Sequence, residues 1–262
     1  MILIFLALLG LIIGSFLAAL TWRSENNISI AKGRSFCPKC KHPIAWYDNI
    51  PVLSYFFLGG KCRNCKKKIS PRYPVIELST MASFVLLYLL QSKLAMQIPW
   101  LSTFPPAPLV LALILAAISI GVIVTDIEEQ IIPDELSFAG LIISFLFLIF
   151  SPAPDIWVRL LTMASGAAFL LLLNLFTKGK GMGLGDVKFA LFPGLVLGFP
   201  QVIVWLFVSF VLGAVVGVAM LFLKRLKFGA KIAFGPFLVI GFWIVLLFGD
   251  TITNLLFPYL FV

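Results

Sequence analysis

The sequence predicts an all-α fold, a polytopic transmembrane helical bundle of about eight helices with a small cytoplasmic loop domain built on four cysteines. Three observations predict it. The 262-residue chain is 61% hydrophobic and 12% charged, with a mean hydropathy of +1.09, more apolar surface than a soluble domain of this length hides. The apolar residues fall in runs of bilayer-spanning length. The basic residues gather in one place: of the 20 Lys and Arg, 11 lie between Arg23 and Arg72.

Eight runs read as helices: 2–20, 75–91, 109–125, 136–151, 156–177, 187–198, 201–223 and 235–249. The sixth is short. The apolar tail from Thr251 to Val262 is too short to span and is expected at the interface. No Lys or Arg precedes the first run, the reverse of a secretory signal, so it reads as a retained helix with its N-terminus outside. The positive-inside rule then gives a consistent topology. The loops after the first, fifth and seventh runs carry the positive charge and face the cytoplasm, the last two through Lys178 and Lys180 and through Lys224, Arg225, Lys227 and Lys231. The loop after the third run falls on the same side, but it is acidic and does not vote. A net charge of +9 concentrated this way belongs to a membrane protein and makes nucleic acid a poor candidate partner.

The first loop holds all four cysteines, as Cys37-Pro38-Lys39-Cys40 and Cys62-Arg63-Asn64-Cys65. Each CxxC knuckle offers two thiolates from one tight turn, and two knuckles complete a tetrahedral zinc site. Four thiolates leave no open position for water, so the metal's expected role is structural, folding a loop too small for its own core. Disulfides or free thiols are the alternatives, and a cytoplasmic position argues against disulfides. His42, the single histidine, is expected to be a bystander. With no histidine on a spanning run, a Ser-His hydrolase or a zinc protease with two helical histidines is excluded.

Ionisable residues at membrane depth are costly and usually functional. Asp126 closes the third run. Asp186 follows Gly181-Met182-Gly183-Leu184-Gly185 and opens the sixth. Both fall at the cytoplasmic boundary, on different helices. Two neighbouring carboxylates split their proton affinities, so one serves as acid and the other as base. Such a pair activates water and protonates a departing amide nitrogen without a metal. Gly183 and Gly185 let the backbone approach an extended substrate. The plain alternative for Asp186 is a helix cap. Asp134, after Pro133, reads as a cap of the fourth helix. Glu128, Glu129 and Glu135 read as solvated, and Lys188 as a counter-charge near Asp186 or a snorkelling side chain.

These residues resemble the type IV prepilin peptidases, membrane aspartic proteases with a Gly-x-Gly-Asp motif. The resemblance covers nearly the whole chain: Gly14-Ser15-Phe16-Leu17; both CxxC pairs with Asp48-Asn49-Ile50-Pro51-Val52-Leu53-Ser54 between them; Arg72-Tyr73-Pro74-Val75-Ile76-Glu77-Leu78; Thr125-Asp126 with Ile132-Pro133-Asp134; Gly183-Leu184-Gly185-Asp186-Val187-Lys188; and Phe234-Gly235-Pro236-Phe237-Leu238. Ala18 and Phe189 depart from the family's usual Asn and Leu. The resemblance implies that Asp126 and Asp186 are the catalytic pair. It implies cleavage of the basic leader of prepilins or pseudopilins after a glycine, on the cytoplasmic face of the bacterial inner membrane. It also implies N-methylation of the new terminus with S-adenosylmethionine, with Gly60, Lys61 and Glu77 as candidate methyltransferase residues. No glycine-rich dinucleotide-type fingerprint marks a site for that cofactor. For Glu77 the plain role is pairing with Arg72.

The expected organisation is thus a first transmembrane helix at 1–20, a cytoplasmic zinc-binding loop domain at 21–74 and a transmembrane peptidase core at 75–262. An ion-coupled transporter, with Asp126 and Asp186 lining an ion path and glycines breaking a helix, is the competing reading. It leaves the cysteine module unexplained.

Overall fold

The computed structural model describes residues 1–26, 28–29, 33–102, 104, 106–151, 156–179, 181–224 and 232–256. Lys180, Arg225, Lys227, Lys231 and tail residues 257–262 lie outside the described residues. The chain divides into two compact units, Met1–Leu89 and Leu90–Val262. No strand occurs among the described residues.

In the first unit, α1 (Ile2–Glu25) and α3 (Arg72–Leu89) flank the cysteine loop, which holds the short α2 (Leu53–Phe57). At 1.5 Å per residue, the 24 residues of α1 reach about 36 Å, enough to cross a hydrocarbon core of about 30 Å. Gly10 and Gly14, one helical turn apart, let the α3 backbone come close. A Cβ on Gly10 would stand 2.7 Å from Met81 Cα, and one on Gly14 2.7 Å from Glu77 Cα. Small residues at this spacing are how membrane helices gain contact where lipid removes the hydrophobic drive.

The second unit comprises α4 (Gln91–Gln97), α5 (Ala107–Glu129), α6 (Asp134–Ile149), α7 (Ile156–Phe176), α8 (Leu184–Phe189), α9 (Leu191–Leu197), α10 (Gln201–Phe222) and α11 (Gly235–Leu256). Its core is aromatic: Phe192 meets Phe189 and Phe242 edge-on, with centroids 4.8 and 5.6 Å apart. Gly140 seats the Phe192 ring, where a Cβ would come within 2.8 Å. Trp205 ties α10 to α11 by donating its indole N–H to the Leu238 carbonyl at 2.9 Å. Arg159 of α7 donates to the Leu195 and Val196 carbonyls at 3.2 and 2.9 Å, and so caps the end of α9. Asp250 accepts from the Gln97 and Gln201 amides at 3.0 and 2.9 Å, tying the end of α4 and the start of α10 to α11.

All eight apolar runs lie on helices, and α1, α5, α7, α10 and α11 are long and apolar enough to cross a membrane; a sixth follows if α3 and α4 count as one broken span. The chain is a multi-pass membrane protein. The sixth run is not continuous. It divides at Ala190 into α8 and α9, and α6 has only 16 residues.

Candidate active site

Asp126 sits in the last turns of α5, which ends at Gln130 in the left-handed conformation (φ 57°). Residues 131–133 follow without regular structure, and α6 starts after the extended Pro133. The Asp126 side chain is buried, and its Oδ2 accepts the Gly235 N–H at 2.7 Å. Gly235 is the first residue of α11, so this N–H is one of the helix's free donors. A Cβ there would stand 2.7 Å from Asp126 Oδ2, so the approach requires glycine.

Asp186 lies in the first turn of α8 and is also buried. Its Oδ2 reaches back to the Gly183 N–H at 3.0 Å. Asp186 therefore does cap α8, with one oxygen. Burial pushes the Asp186 carboxyl up to about 6, the Gly183 N–H holds it down in part, and the nearby Asp126 charge raises it further. The structure brings the two carboxylates close enough to interact across 60 residues of sequence (186 − 126). Ile132 neighbours both sites: a Cβ on Gly185 would meet its Cβ at 3.1 Å, and one on Gly235 its Cδ1 at 3.2 Å.

Asp134 is not a cap. Pro133 takes the N-cap position and no side-chain cap bond forms. The Asp134 carboxylate instead receives Lys188 Nζ at 2.7 and 2.6 Å. Asp134 starts one residue too far into the helix to reach its free donors, and the lysine charge takes its place. Lys188 thus bridges α8 to α6 and leaves Asp186 to its glycine.

Gly235 is a site contact that the sequence does not announce. Its signal is only the break before Pro236; which carboxylate it meets is a matter of packing.

In the first unit the two knuckles have the same local build. Lys41 N donates to Cys37 O at 2.8 Å and Lys66 N to Cys62 O at 2.9 Å, with Lys41 and Lys66 both at positive φ (59° and 57°). The Cys-x-x-Cys-Lys order is a short internal repeat. The four thiols form no disulfide, and their Sγ atoms lie within 4.8 Å of one another. Cys37 Sγ and Cys65 Sγ are 3.9 Å apart, against about 3.8 Å expected around tetrahedral zinc with bonds of about 2.3 Å. The His42 amide beside Cys40 holds that thiol down to about 7, which favours the thiolate a metal needs. The cluster fits a structural zinc site.

Beneath the knuckles lies a cavity of about 600 Å³ lined by Trp22, Phe36, Tyr47, Asp48, Tyr55 and Glu77, among others. Buried Glu77 accepts the Val52 N–H at 2.7 Å and hydrogen-bonds Ser15. Arg72 Nη2 donates to Thr21 at 2.9 Å. Gly60 and Lys61 do not line the cavity. Gly60 (φ 65°) forms the turn after α2, where a Cβ would meet the Tyr55 ring at 3.2 Å.

A multi-pass helical membrane protein with a buried aspartate pair, each held by a glycine amide, is the class that fold and site define. Comparison with known proteins gives the family. Residues 8–91 match the bacterial peptidase A24 N-terminal domain, and residues 109–218 match the type IV leader peptidase family. Proteins named prepilin leader peptidase/N-methyltransferase are similar over most of their length. The one from Aeromonas salmonicida is 34% identical, covering 84% of this chain and 73% of the relative. That from Pseudomonas aeruginosa is 32% identical over 94% and 90%, and that from Bacillus subtilis is 32% identical over 95% of each. The chain belongs to the type IV leader peptidase family. No solved structure gives a significant match.

Proposed function

We propose that this chain is a prepilin leader peptidase and N-methyltransferase, with Asp126 and Asp186 as its catalytic pair. The observation that carries the reading is the buried pair itself, two carboxylates close enough to interact, each oriented by a glycine N–H. Asp186, with its raised proton affinity, is the acid. Asp126 is the base. Asp126 takes a proton from a water whose oxygen attacks the scissile carbonyl, and Asp186 gives its proton to the departing amide nitrogen. The hydroxyl stays on the acyl carbon, so water is consumed and two termini result. Gly183 and Gly185 leave backbone room for an extended substrate. The concentration of positive charge after α1 supports a cytoplasmic site, where the basic leader of a prepilin or pseudopilin emerges beside its membrane-embedded helix.

Cys37, Cys40, Cys62 and Cys65 would hold zinc as a structural clamp on the loop. The cavity beneath is within the range of small-ligand sites. Its aromatic faces suit a sulfonium and its carboxylates an ammonium. S-adenosylmethionine bound there would supply the methyl group. Glu77 would hold the substrate's terminal amine beside it, and Gly60 and Lys61 would shape the adjoining turn. The transporter reading loses support, because the chain belongs to a peptidase family and both aspartates lie at helix ends against glycine donors.

The test is prepilin cleavage in membranes by the parent chain and by Asp126→Asn and Asp186→Asn. Each variant should insert normally and cleave nothing; efficient cleavage by either removes that residue from the pair. Mass spectrometry of pilin processed by Glu77→Gln tests the second activity separately. Gln still accepts the Val52 N–H but carries no charge, so cleaved and unmethylated pilin is expected. Normal methylation would remove Glu77.

A further inference from the structure

The short helix α2 is inside out. Leu53, Phe56 and Phe57 share one face at the i, i+3, i+4 spacing, and all three are exposed, Phe57 to 86% and Phe56 to 70%. Trp46 (81%) and Ile50, just before α2 in sequence, are exposed as well. The polar Ser54 is buried and donates to the Tyr47 carbonyl at 2.9 Å. A loop folding on its own in water would turn α2 the other way.

The depth of this segment explains the inversion. Glu77 accepts the Val52 N–H at 2.7 Å and also bonds Ser15. Ser15 lies five residues inside the end of the apolar run at Leu20 (20 − 15), about 7.5 Å at 1.5 Å per residue. Val52 is therefore drawn below the mouth of the spanning helices to the level where interfacial helices sit, roughly 5–10 Å into the headgroup–acyl boundary. The attachment is firm. Val52 adopts φ 62°, which a β-branched residue takes only when its surroundings hold it there.

Charge completes the case. Between Asp48 and Glu77 the chain has no acidic residue and carries Lys61, Arg63, Lys66, Lys67, Lys68 and Arg72. Asp48 itself is taken by Arg63, in a bidentate pair at 2.7–3.1 Å. Aromatic side chains beside uncompensated lysines are the signature of a surface seated on anionic lipid.

We propose that residues 46–57 dock on the bilayer as a wedge continuous with the lipid-facing surfaces of α1 and α3. Trp46, Ile50, Leu53, Phe56 and Phe57 enter the interface, and the lysines meet anionic headgroups. The wedge fixes the floor of the cavity at the membrane surface. The same lysines repel a basic leader, so the bilayer suits this surface better than a prepilin does. The inference rests on α1 spanning the membrane and not on the peptidase assignment.

The experiment places p-benzoylphenylalanine at position 57 of the full chain, reconstituted in phosphatidylethanolamine–phosphatidylglycerol vesicles with an alkyne-tagged lipid. A control carries the same probe at the exposed Lys41. Irradiation should give at least about fivefold more lipid adduct at 57 than at 41. In parallel, brominated-chain lipids should quench the parent more than Trp46→Phe. Equal lipid adduct at the two positions, with no quenching difference, overturns the proposal. So does transfer of the 57 adduct from lipid to prepilin when the substrate is added, since that makes the face a substrate-docking site.

Discussion

Replacing Gly235 by Ala tests how Asp126 is held. The added Cβ would stand 2.7 Å from Asp126 Oδ2, 3.1 Å from its Cγ and 3.2 Å from Ile132 Cδ1. The methyl group has no retreat, because Gly235 opens α11 and its backbone is set by the helix. The carboxylate must swing away and lose its 2.7 Å bond to the Gly235 N–H. A hydrogen bond to a charged group is worth about 1.5–3 kcal/mol, which at about 1.4 kcal/mol per decade is a 10- to 150-fold effect. Misplacing a reacting group by about 1 Å costs a similar ~10²-fold. Gly235→Ala should therefore lower kcat for prepilin cleavage by roughly 10²-fold and leave KM nearly unchanged, since the glycine is proposed to orient Asp126 and not to bind substrate. Initial rates over a range of precursor concentrations in detergent separate the two constants, and size-exclusion profiles check the fold. A variant with kcat near that of the parent would show that the Gly235 contact does not govern the chemistry. A rise in KM alone would move the glycine to substrate binding.

Three further outcomes follow from the same geometry. Asp186, raised to about 6 by burial and by the Asp126 charge, keeps its proton below that pH and loses it above. The alkaline limb of kcat/KM should fall with a midpoint near 6, as a macroscopic property of the pair, and a rate flat from acid to neutral pH would argue against the dyad. Zinc chelation or Cys62→Ser should make residues 33–70 sensitive to limited proteolysis and abolish methylation while much of the cleavage survives. Immediate loss of cleavage with the loop intact would place the metal in the proteolytic chemistry. Arg159→Ala removes two bonds to the end of α9 and a guanidinium 4.8 Å from the Trp100 ring centroid, so Tm should drop by several degrees, and an unchanged Tm would show that water replaces the cap.

The fold was legible where solvent dictates it. Eight apolar runs became helices because an apolar backbone in lipid must satisfy its own hydrogen bonds. The knuckles were legible because metal spacing is local. What sequence could not show is set by contacts between distant residues. Asp134 reads as a cap from its neighbour Pro133, yet Lys188, 54 residues on (188 − 134), claims it. Gly235 holds Asp126 through a backbone N–H, a group every residue except proline carries, so nothing in its identity names its partner. The break at Ala190 and the outward face of α2 were hidden for another reason. Hydropathy records how apolar a residue is, not whether lipid or protein covers it.

The two proposed catalytic carboxylates are held by the same kind of donor but at different range, and this makes them unequal. Asp186 takes its N–H from Gly183, within its own turn, so its orientation is set as soon as α8 forms. Asp126 takes its N–H from Gly235, on a helix that begins 109 residues later (235 − 126). Its orientation waits on the docking of α11, through contacts such as Trp205 to Leu238 and Phe242 to Phe192. Changes that loosen α11 should therefore disturb Asp126 and spare Asp186, and changes within 181–186 should do the reverse. Backbone donors serve both carboxylates for a common reason. A glycine amide orients an oxygen without placing a side chain beside it, which leaves room for an extended peptide to approach the proposed catalytic carboxylates.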